Sequence, residues 1–493
     1  MPMKTLFLNP PSFDKFDAGA GSSWPAAREI ESYWYPVWLC YPAGMLEGSR
    51  VLDAPPHHVG WTETVEIARE YDLVILFTST PGFANDMKIA EALKADKPSL
   101  KIAFVGPHVT VEPEKSLDAC AAIDWVGRKE FDYAVYEFAH GMELARIEGV
   151  SYRGADGQIR HNPDRAQVQD LDALPFVTDV YKRDFQIENY NVPFLLHPYL
   201  SFYTSRGCPA QCTFCLWPQT MSGHPWRVRS SDNVVEEVQR CMKMFPQLKE
   251  IFFDDDTFNY KKSRTLELCA KLKPLGLTWS CTSRVTTDNE TLKGMKDAGC
   301  RLMIVGYETG DPQILKNIKK GATLEQARKF TKEAHRLGLI IHGDFIVGLP
   351  GETKASIEKT IAFAKELDCE TIQVSVGHAF PGTEFHQYLT ENSYLTNITM
   401  TDDGGHQLPQ MDYPDLTRAD LMESVERFYA EYYFRPRAAW RLVRKALTDV
   451  NEFKRLFKEA REYLHTRSQR KVFVAEARAH AVEKAAAPPV SVH

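Results

Sequence analysis

Apolar runs alternate with amphipathic stretches through the first part of the chain. The apolar runs have the length of buried strands, and the stretches between them carry apolar residues at helical spacing. The predicted strands are Lys4–Asn9, Arg50–Ala54, Leu73–Ser79, Lys101–Val105 and Ile123–Val126. The predicted helices are Thr62–Tyr71, Ala84–Ala95, Pro113–Ala121 and Glu130–His140. This alternation predicts an α/β domain over residues 1–148 with a doubly wound, Rossmann-like parallel sheet.

A second run of alternation begins near residue 197, after a polar, turn-rich segment over residues 149–196 that we interpret as a connector. Its predicted strands are Ser201–Ser205, Glu250–Asp254, Thr278–Arg284, Leu302–Glu308, Ile340–Val347 and Thr371–Val376. Its predicted helices are Asn233–Phe245, Lys262–Leu275, Glu290–Ala298, Pro312–Ile318, Leu324–Leu337 and Lys354–Leu367. Six β/α units are too few to close an eight-stranded barrel. Residues 197–420 are therefore expected to form a partial (β/α)6 TIM barrel with its site at the C-terminal ends of the strands.

The last segment, residues 421–493, differs in charge from the rest of the chain. It holds 15 Lys and Arg against 9 Asp and Glu, whereas the whole chain has a formal net charge of −7. Its periodicity predicts two helices, Met422–Leu447 with a kink at Pro436 and Asn451–Arg467, followed by a frayed tail of low complexity.

Composition narrows the class of protein. The overall negative charge makes nucleic acid an improbable partner, and no apolar run is long enough to span a membrane. The N-terminus lacks the basic start and the cleavage site of a signal peptide, which favours a cytoplasmic protein. Seven of the ten cysteines are scattered singly, so a disulfide framework is not expected.

The remaining three cysteines lie within eight residues, in the sequence RGCPAQCTFCLWP directly after the first strand of the second segment. Cys208, Cys212 and Cys215 have the spacing Cys-x3-Cys-x2-Cys. Three thiolates in one loop can hold three irons of a [4Fe–4S] cluster and leave the fourth iron open to a substrate or cofactor. The structural alternative is a zinc site, for which His224 is the nearby candidate for a fourth ligand.

This spacing, with an aromatic residue (Phe214) before the last cysteine, resembles the radical S-adenosylmethionine superfamily. The resemblance implies that the open iron binds the methionine part of S-adenosylmethionine and that one electron cleaves the sulfonium to a 5′-deoxyadenosyl radical. It also implies an external electron donor of the flavodoxin or ferredoxin class.

Other positions match the superfamily one by one. The sequence HGDFIVGLPGET resembles the fifth-strand motif, which implies that Ile346, Gly348 and Pro350 border the adenine. The sequence GYETG resembles the fourth-strand motif and places Glu308 near the ribose or the methionine. Arg284 is a candidate partner of the cofactor carboxylate, and an ordinary ion pair is the alternative for both of these residues. Asp254, Asp255 and Asp256 replace the usual Gly-Gly-Glu. These carboxylates are candidates for holding the methionine ammonium, with Asp256 as the assigned residue, or the ammonium of an amino substrate, and a solvated acidic loop is the alternative.

The first domain resembles the cobalamin-binding domain that precedes some radical S-adenosylmethionine barrels. The sequences FLNPP, TSTP, VGPH and GRKEFD occupy the strand ends, and the tentative cobalamin residues are Ser79, Thr80, Gly106 and His108. The family's Asp-x-His-x-x-Gly is missing, its Gly-Gly pair is Val105-Gly106, and GRKE replaces its Gly-Glu-Gly-Glu. Bound cobalamin and a domain that kept only the fold are both open at this point.

A closer resemblance runs nearly end to end, through sequences such as LFLNPPSFDKFDAGAGS, DALPFVTDVYKRD and FFDDDTF. These resemble the hopanoid-biosynthesis radical S-adenosylmethionine proteins of the bacteriohopanetetrol cyclitol ether synthase type. That family implies ring contraction of the glucosamine headgroup of a hopanoid lipid. A cobalamin-dependent methyltransferase acting on a different substrate is the main alternative. A methylthiotransferase would carry further grouped cysteines, and a non-enzymatic Fe–S or zinc module would not need the β/α repeats.

A lipid substrate implies contact with a membrane surface, and two aromatic stretches suggest where this contact would lie. One comprises Trp34, Tyr35, Trp38, Leu39 and Tyr41. The other combines Phe428, Tyr432, Phe434 and Trp440 with Arg437, Arg441 and Arg444. Aromatic rings beside basic residues suit an anionic surface. The alternative is that these rings pack in the core between domains.

Overall fold

A computed structural model describes residues 2–12, 32–396, 399–401 and 407–448, together with scattered residues between 456 and 478. Within these residues the chain forms two parallel α/β layers followed by helices. The expected fold class, a doubly wound domain ahead of a partial barrel and C-terminal helices, is confirmed.

The first sheet has the strand order β2-β1-β3-β4-β5-β6-β7, and its first five strands are parallel. The parallel strands are β1 Thr5–Asn9, β2 Arg50–Asp53, β3 Leu73–Phe77, β4 Lys101–Val105 and β5 Trp125–Gly127. The helices of this part are α1 Val37–Met45, α2 Trp61–Ala68, α3 Phe83–Asp96, α4 Pro107–Val111, α5 Pro113–Ala119 and α6 Asp132–Ala139. Side chains alternate between the two faces of β1, so Leu6 and Leu8 pack into one apolar core while Phe7 packs into the other. Because both faces of this sheet are covered, both sets of side chains along each strand are apolar, and the strands are unbroken apolar runs in the sequence.

The segment 149–196 contributes to the same sheet. Strands β6 Val150–Arg153 and β7 Ile159–His161 add to its edge in antiparallel order, and helix α7 Val177–Asp184 follows them. The segment that we interpret as a connector therefore supplies two edge strands, while the boundaries at residues 148, 196 and 420 stay predictions.

The second sheet has the order β15-β14-β13-β12-β11-β8, and all of its pairings are parallel. Its strands are β8 Tyr199–Phe202, β11 Glu250–Phe253, β12 Trp279–Ser283, β13 Cys300–Glu308, β14 Ile340–Val347 and β15 Thr371–Val376, and a small antiparallel pair is formed by β9 Ser205–Arg206 and β10 Arg227–Val228. The helices are α8 Leu216–Thr220, α9 Ser231–Met244, α10 Lys262–Leu272, α11 Asn289–Asp297, α12 Pro312–Asn317, α13 Leu324–Arg336, α14 Lys354–Leu367 and α15 Glu384–Glu391. The six strands match the six that the sequence predicts, with ends that differ by a few residues.

The C-terminal region begins with two helices, α16 Arg418–Tyr433 and α17 Pro436–Thr448. The break falls just before Pro436, where the sequence predicts a kink, because a proline ring is compatible with the first turn of a helix but not with its interior. The predicted helix Asn451–Arg467 and the tail lie almost entirely outside the described residues. No helix among the described residues combines the length and the apolar character needed to cross a membrane.

The first aromatic stretch is buried, so the expectation that it lies at a membrane surface is wrong. The Trp34 side chain is half-buried, and Tyr35, Trp38, Leu39 and Tyr41 are each less than 5% exposed. The Tyr35 ring stacks 3.9 Å from Tyr190, and its hydroxyl donates to the Tyr199 carbonyl oxygen of β8 at 2.8 Å. These rings fill the space between the first sheet and the barrel.

Candidate active site

The three clustered cysteines lie in the loop that joins β9 to α8, at the C-terminal end of the barrel strands. Cys208 and Cys212 are buried, and Cys215 is half-buried at the N-terminus of α8. The preceding Gly207 has φ 88°, and a Cβ there would lie 2.2 Å from the Pro225 carbonyl oxygen. Only glycine fits this position, which sets the direction in which the cysteine loop leaves the strand.

One side chain holds the loop in shape. Gln219 of α8 donates from Nε2 to the carbonyl oxygens of Cys212 and Thr213 at 3.2 Å and of Cys215 at 2.8 Å. The loop also bonds to its surroundings, since the Thr213 amide donates to the Ile318 carbonyl oxygen at 3.1 Å. Because its backbone is tied in this way, the loop is shaped before any metal binds. Burial raises the pKa of the Cys208 thiol to about 11, so a bound metal has to stabilise the thiolate.

The donor set fits an iron–sulfur cluster better than zinc. The ring Nδ1 of His224 lies 3.0 Å from the Cys208 carbonyl oxygen, which fixes the orientation of the ring. Among the described residues no three His, Cys, Asp or Glu side chains converge on one metal position. A tetrahedral zinc requires such convergence, whereas a cubane spreads its ligands over separate irons.

Two cationic side chains lie beside the cysteine loop. The Arg284 Nη1 is 3.9 Å from the Cys212 sulfur, and its Nη2 donates to the Lys320 carbonyl oxygen. The Lys320 ammonium donates to Glu308 Oε1 at 2.5 Å, and both of these side chains are about nine-tenths buried. Glu308 has φ 65°, an uncommon conformation for a residue with a side chain. Glu308 therefore forms the ion pair that was its alternative interpretation, and its partner Lys320 was not identified from the sequence.

The residues predicted to border the adenine come together in part. Phe214 and Ile346 pack in one small apolar cluster with Ile314, Ile318 and Leu349. Gly348 has φ 87°, and its carbonyl oxygen accepts a bond of 2.8 Å from the Tyr413 hydroxyl. The Pro350 carbonyl oxygen accepts from Asn317 Nδ2 at 2.8 Å.

A buried carboxyl group, Glu352, lies at this turn and was not singled out from the sequence. Its Oε2 accepts from the amides of Gly348 and Leu349. Burial raises its pKa to about 8.

The three consecutive aspartates have different roles. Asp255 is buried, and its Oδ1 accepts from the amides of Thr204 and Ser205 at 2.5 and 3.0 Å, so it fixes the start of the cysteine loop. Asp256 accepts a bond of 2.9 Å from the Ser222 hydroxyl, and burial raises its pKa to about 6. Both residues, with Asp254, line the cavity next to the cysteines.

That cavity has a volume of ≈ 310 Å³ and lies between the first domain and the barrel interior. Cys208 and Cys215 form part of one side, and tryptophan and phenylalanine rings from both halves of the chain form much of its wall. A site of this size, largely apolar with a few converging polar groups, suits a small molecule or the headgroup of a larger one.

The tentative cobalamin residues lie at the C-terminal ends of β3 and β4. His108 Nδ1 is 3.2 Å from the Thr80 hydroxyl, and the His108 ring lies 4.3 Å from the Phe83 ring. Burial lowers the pKa of His108 to about 4, so its ring is neutral at physiological pH. Gly106 has φ 115°, and a Cβ there would lie 2.4 Å from the Thr78 carbonyl oxygen.

Ser79 follows Thr78 in the same strand end and is half-buried. Its hydroxyl oxygen is buried and has no hydrogen-bond partner among the described residues. These strand ends therefore combine a close backbone approach, a neutral imidazole and an unsatisfied hydroxyl.

Helices α1 and α4 of the first domain contact helix α8, which follows the cysteine loop. The Thr110 hydroxyl of α4 lies 3.6 Å from the Met221 sulfur just after α8, and the Trp38 ring stacks 6.1 Å from Trp217. Two buried ion pairs cross the same boundary. Asp132 bonds both terminal nitrogens of Arg206 at 2.8 and 3.0 Å, and Glu130 bonds Arg227 at 2.6 Å.

Comparison with known proteins agrees with this arrangement. Residues 202–364 match the family described as the radical SAM superfamily, and residues 24–139 match the B12 binding domain. An uncharacterised methyltransferase of Pyrococcus horikoshii, PH0819, is 31% identical over 458 residues, which cover 88% of this chain and 93% of that protein.

Solved structures show the same fold. The radical S-adenosylmethionine methyltransferase TsrM from Kitasatospora setae aligns with a TM-score of 0.67 at 16% identity, covering 88% of this chain and 89% of that one. The cobalamin-dependent S-adenosylmethionine radical enzyme OxsB aligns with a TM-score of 0.66 at 15% identity, covering 96% of this chain and 72% of that one.

The two matched regions together cover more than half of the chain, and the relative aligns over nearly its whole length. The chain therefore belongs to the radical S-adenosylmethionine superfamily, carries a B12-binding domain ahead of its barrel, and has a [4Fe–4S] cluster, S-adenosylmethionine and cobalamin as its cofactors.

Proposed function

We propose that this chain is a cobalamin-dependent methyltransferase that modifies a small molecule, or the headgroup of a larger one, in the cavity between its two α/β units. The supporting observation is the contact between α4, which follows β4, and the end of α8, which follows the cysteine loop, through Thr110 and Met221. Cys208 and Cys215 line the substrate cavity, and in this proposal the group bound at the β3 and β4 strand ends acts on the same substrate. The full-length relative from Pyrococcus horikoshii is also named as a methyltransferase.

In this proposal Cys208, Cys212 and Cys215 hold the cluster. Phe214 and Ile346 pack against the adenine, and the Gly348 and Pro350 turn lies beside it. Arg284 is directed toward the loop by its bond to the Lys320 carbonyl oxygen, which suits it to bind the carboxylate of S-adenosylmethionine. Glu308 acts indirectly, by holding the Lys320 ammonium close to the cysteines.

Asp256 is the group we assign to the ammonium of S-adenosylmethionine. Burial raises its pKa to about 6, so it is mostly ionised at pH 7, and a nearby ammonium would stabilise the ionised form further. Asp255 keeps a structural role, because both of its oxygens accept bonds from the backbone and hydroxyl of Thr204.

Ser79, Thr80, Gly106 and His108 are the residues that we assign to cobalamin. Gly106 lets the end of β4 pack closely against the Thr78 backbone, which shapes these strand ends, and the Ser79 hydroxyl supplies a polar contact. The His108 Nδ1 lies 3.2 Å from the Thr80 hydroxyl, and we assign the ring to the corrin side chains.

When bound, the cluster with S-adenosylmethionine supplies a 5′-deoxyadenosyl radical, and cobalamin supplies the methyl group. The chain itself holds the substrate and excludes water. Half-buried Trp34 and buried Trp38 close the cavity from the first domain, and the Arg206 guanidinium lies 4.6 Å from the Trp38 ring and keeps it in place. Electrons come from an external donor of the flavodoxin or ferredoxin class.

The sequence makes a more specific prediction about substrate and product. The hopanoid resemblance predicts glucosaminyl bacteriohopanetetrol as substrate and a ring-contracted cyclitol ether as product, without methyl transfer. The methyltransferase alternative agrees better with the named relative, and one assay separates the two.

The assay is an anaerobic reaction of the reconstituted chain with reductant, cobalamin, glucosaminyl bacteriohopanetetrol and S-adenosylmethionine labelled as trideuteromethyl. Methyl transfer predicts S-adenosylhomocysteine and 5′-deoxyadenosine together, with the label in a product. If both nucleosides form and the lipid is unchanged, methyl transfer acts on another substrate and the hopanoid prediction is wrong. An isomer of the lipid, formed without S-adenosylhomocysteine, would contradict the methyltransferase proposal and support ring contraction.

A membrane contact remains part of the lipid hypothesis, now restricted to the C-terminal helices. Phe428 and Tyr432 are buried in the core, whereas Phe434 and Trp440 are 75% and 65% exposed. Arg441 bonds the Cys369 carbonyl oxygen at 2.9 Å and serves the fold. Arg437 and Arg444 are exposed and lie near Trp440 along α17, so they are the basic residues that suit an anionic surface.

A further inference from the structure

Strand β14 places two polar side chains inside the barrel, away from the cysteines. Side chains alternate along a strand, and Phe345 faces outward, where its ring lies 5.3 Å from Phe428 of α16. His342 and Asp344 therefore face inward, and both line the cavity. Asp344 precedes Ile346 of the predicted adenine site by two residues, which is about 7 Å along a strand.

His342 and Asp344 lie side by side on β14. The ring Nδ1 of His342 lies 2.7 Å from the Thr371 hydroxyl, and Nε2 lies 3.4 Å from Asp344 Oδ1. The Phe194 ring stacks on the imidazole at 4.1 Å. The His342 side chain is 7% exposed and the Asp344 side chain 33% exposed. The imidazole thus lies against the aspartate, and the aspartate carboxylate forms part of the cavity wall.

Gln373 of β15 completes this group of acceptors. Its Nε2 donates to the Ser375 hydroxyl at 3.3 Å, so the amide presents its carbonyl oxygen to a cavity ligand. An ionised carboxylate and an amide oxygen both accept hydrogen bonds.

The remaining charge on the cavity wall favours the same kind of ligand. Arg206 also lines the cavity, but Asp132 bonds both of its terminal nitrogens. The positive charge of Arg206 is therefore neutralised by Asp132. The wall near the His342 ring is aromatic, since Trp34 lies 6.4 Å from Phe194 and 5.6 Å from Phe252. An anionic ligand would therefore meet carboxylates, whereas a ligand that carries hydrogen-bond donors can pair with them.

We propose that Asp344 and Gln373 form a substrate subsite that recognises hydrogen-bond donors, namely hydroxyl or ammonium groups carried on an apolar ring held against Trp34, Phe194 and Phe252. This inference rests on the proposed function in that it assigns the substrate, rather than a cofactor, to this part of the cavity. Asp344 and Gln373 are specificity-determining residues.

The test uses the full chain with its cluster reconstituted under anaerobic conditions and four small probes of similar ring size. The probes are trans-4-aminocyclohexanol, cis-1,2-cyclohexanediol, methoxycyclohexane and cyclohexanecarboxylate. Saturation-transfer NMR titration gives the Kd of each. The two probes with donors should bind at least about tenfold more tightly than the ether and the carboxylate. Equal or tighter binding of the carboxylate or the ether would overturn the proposal.

Variants assign the effect to residues and distinguish the two donors. Asp344→Asn should weaken the aminocyclohexanol by about tenfold, because a charge-assisted bond is lost, and should weaken the diol less. Gln373→Glu should strengthen only the amine. The exposed control Asp118→Asn should change neither Kd. If Asp344→Asn and Gln373→Glu both leave the Kd values unchanged, the assignment of these two residues to the subsite is overturned. If Asp344→Asn does not fold, Gln373→Leu, which should weaken the binding of both donor probes, tests the subsite instead.

Probe binding is measured without methyl transfer, so the subsite proposal and the methyltransferase proposal can be contradicted independently of each other. Absence of S-adenosylhomocysteine in the product assay would contradict the methyltransferase function and leave the subsite standing. Binding that ignores hydrogen-bond donors would contradict the subsite alone.

Discussion

Removing the carboxylate of Asp132 should weaken the attachment of the first domain to the barrel. Asp132 lies in α6 and Arg206 in β9, and each side chain is no more than 2% exposed. Their two bonds measure 2.8 and 3.0 Å, and Arg206 is separated from Cys208 only by Gly207. Asp132→Ala would leave a buried guanidinium facing Glu130 at 4.0 Å, and Glu130 is already bonded to Arg227.

The expected cost follows from that burial. Removing one partner of a buried ion pair costs about 3–5 kcal/mol, because the other charge stays out of water without its partner. The exposed pair Arg69–Asp96 is a matched control, since it is also bidentate, at 2.7 and 2.8 Å, while its arginine is 58% exposed. Asp96→Ala should therefore cost less than about 1 kcal/mol.

The assay is urea unfolding of the chain without cofactors, followed by tryptophan fluorescence, for Asp132→Ala, Arg206→Met, the double variant and Asp96→Ala. The double variant should be less destabilised than the sum of the single ones, with a coupling free energy of about 2–3 kcal/mol. The reasoning is refuted if Asp132→Ala costs no more than Asp96→Ala, or if the two single effects simply add.

Three further predictions concern the cluster, a buried carboxyl group and the membrane. Replacing Cys208, Cys212 and Cys215 with alanine should remove the visible absorption of the cluster and all formation of 5′-deoxyadenosine. Replacing Cys241 or Cys300, which are buried core thiols, should leave both unchanged. If the triple variant still binds about four irons per chain, the assignment of the cluster ligands is wrong. Burial raises the pKa of Asp86 from 3.8 to about 7, so the folded state favours the protonated carboxyl group. The contribution of this group to stability is complete below the unfolded pKa and is lost as the pH rises to about 7. The unfolding free energy of the unmodified chain relative to Asp86→Asn should then fall by about 3 kcal/mol between about pH 4 and pH 7, and a difference that does not change with pH would contradict the shift. Replacing Arg437 and Arg444 with glutamate should reduce sedimentation with anionic liposomes without changing 5′-deoxyadenosine formation in solution; if the unmodified chain does not bind liposomes, the membrane contact is wrong.

Parallel strands and the cysteine loop could be predicted because their signals are local. Buried strands such as Leu73–Phe77 are short apolar runs, and three cysteines in eight residues have few structural explanations. Predicted helix ends differ from the observed ones by a few residues, because the ends depend on caps such as Thr323, which bonds the Gln326 amide at 3.1 Å.

Features that depend on contacts distant in sequence could not be predicted. The rings from Trp34 to Tyr41 have the composition of a membrane interface, and only the packing of Tyr35 on Tyr190 shows that they are buried. The sequence GRKEFD reads as a departure from a glycine-rich loop. In the structure its acidic residues Glu130 and Asp132 bond arginines of the barrel, which lie 97 and 74 positions further along the chain. Lys320 was missed because its partner Glu308 adopts a positive φ that the sequence does not indicate.

The central claim is that the chain uses its two cofactor sites together to transfer a methyl group. The most direct measurement quantifies 5′-deoxyadenosine and S-adenosylhomocysteine per chain, with bound cobalamin, for the unmodified protein, Gly106→Val and Cys208→Ala. A Cβ at position 106 would lie 2.4 Å from the Thr78 carbonyl oxygen, so a valine there displaces the backbone of the strand ends assigned to cobalamin. The unmodified protein should retain cobalamin and form both nucleosides. The Gly106→Val variant should lose bound cobalamin and the formation of S-adenosylhomocysteine but still form 5′-deoxyadenosine. The Cys208→Ala variant should form neither nucleoside. If the unmodified protein forms 5′-deoxyadenosine and product at full rate without cobalamin and without S-adenosylhomocysteine, the methyltransferase account is contradicted.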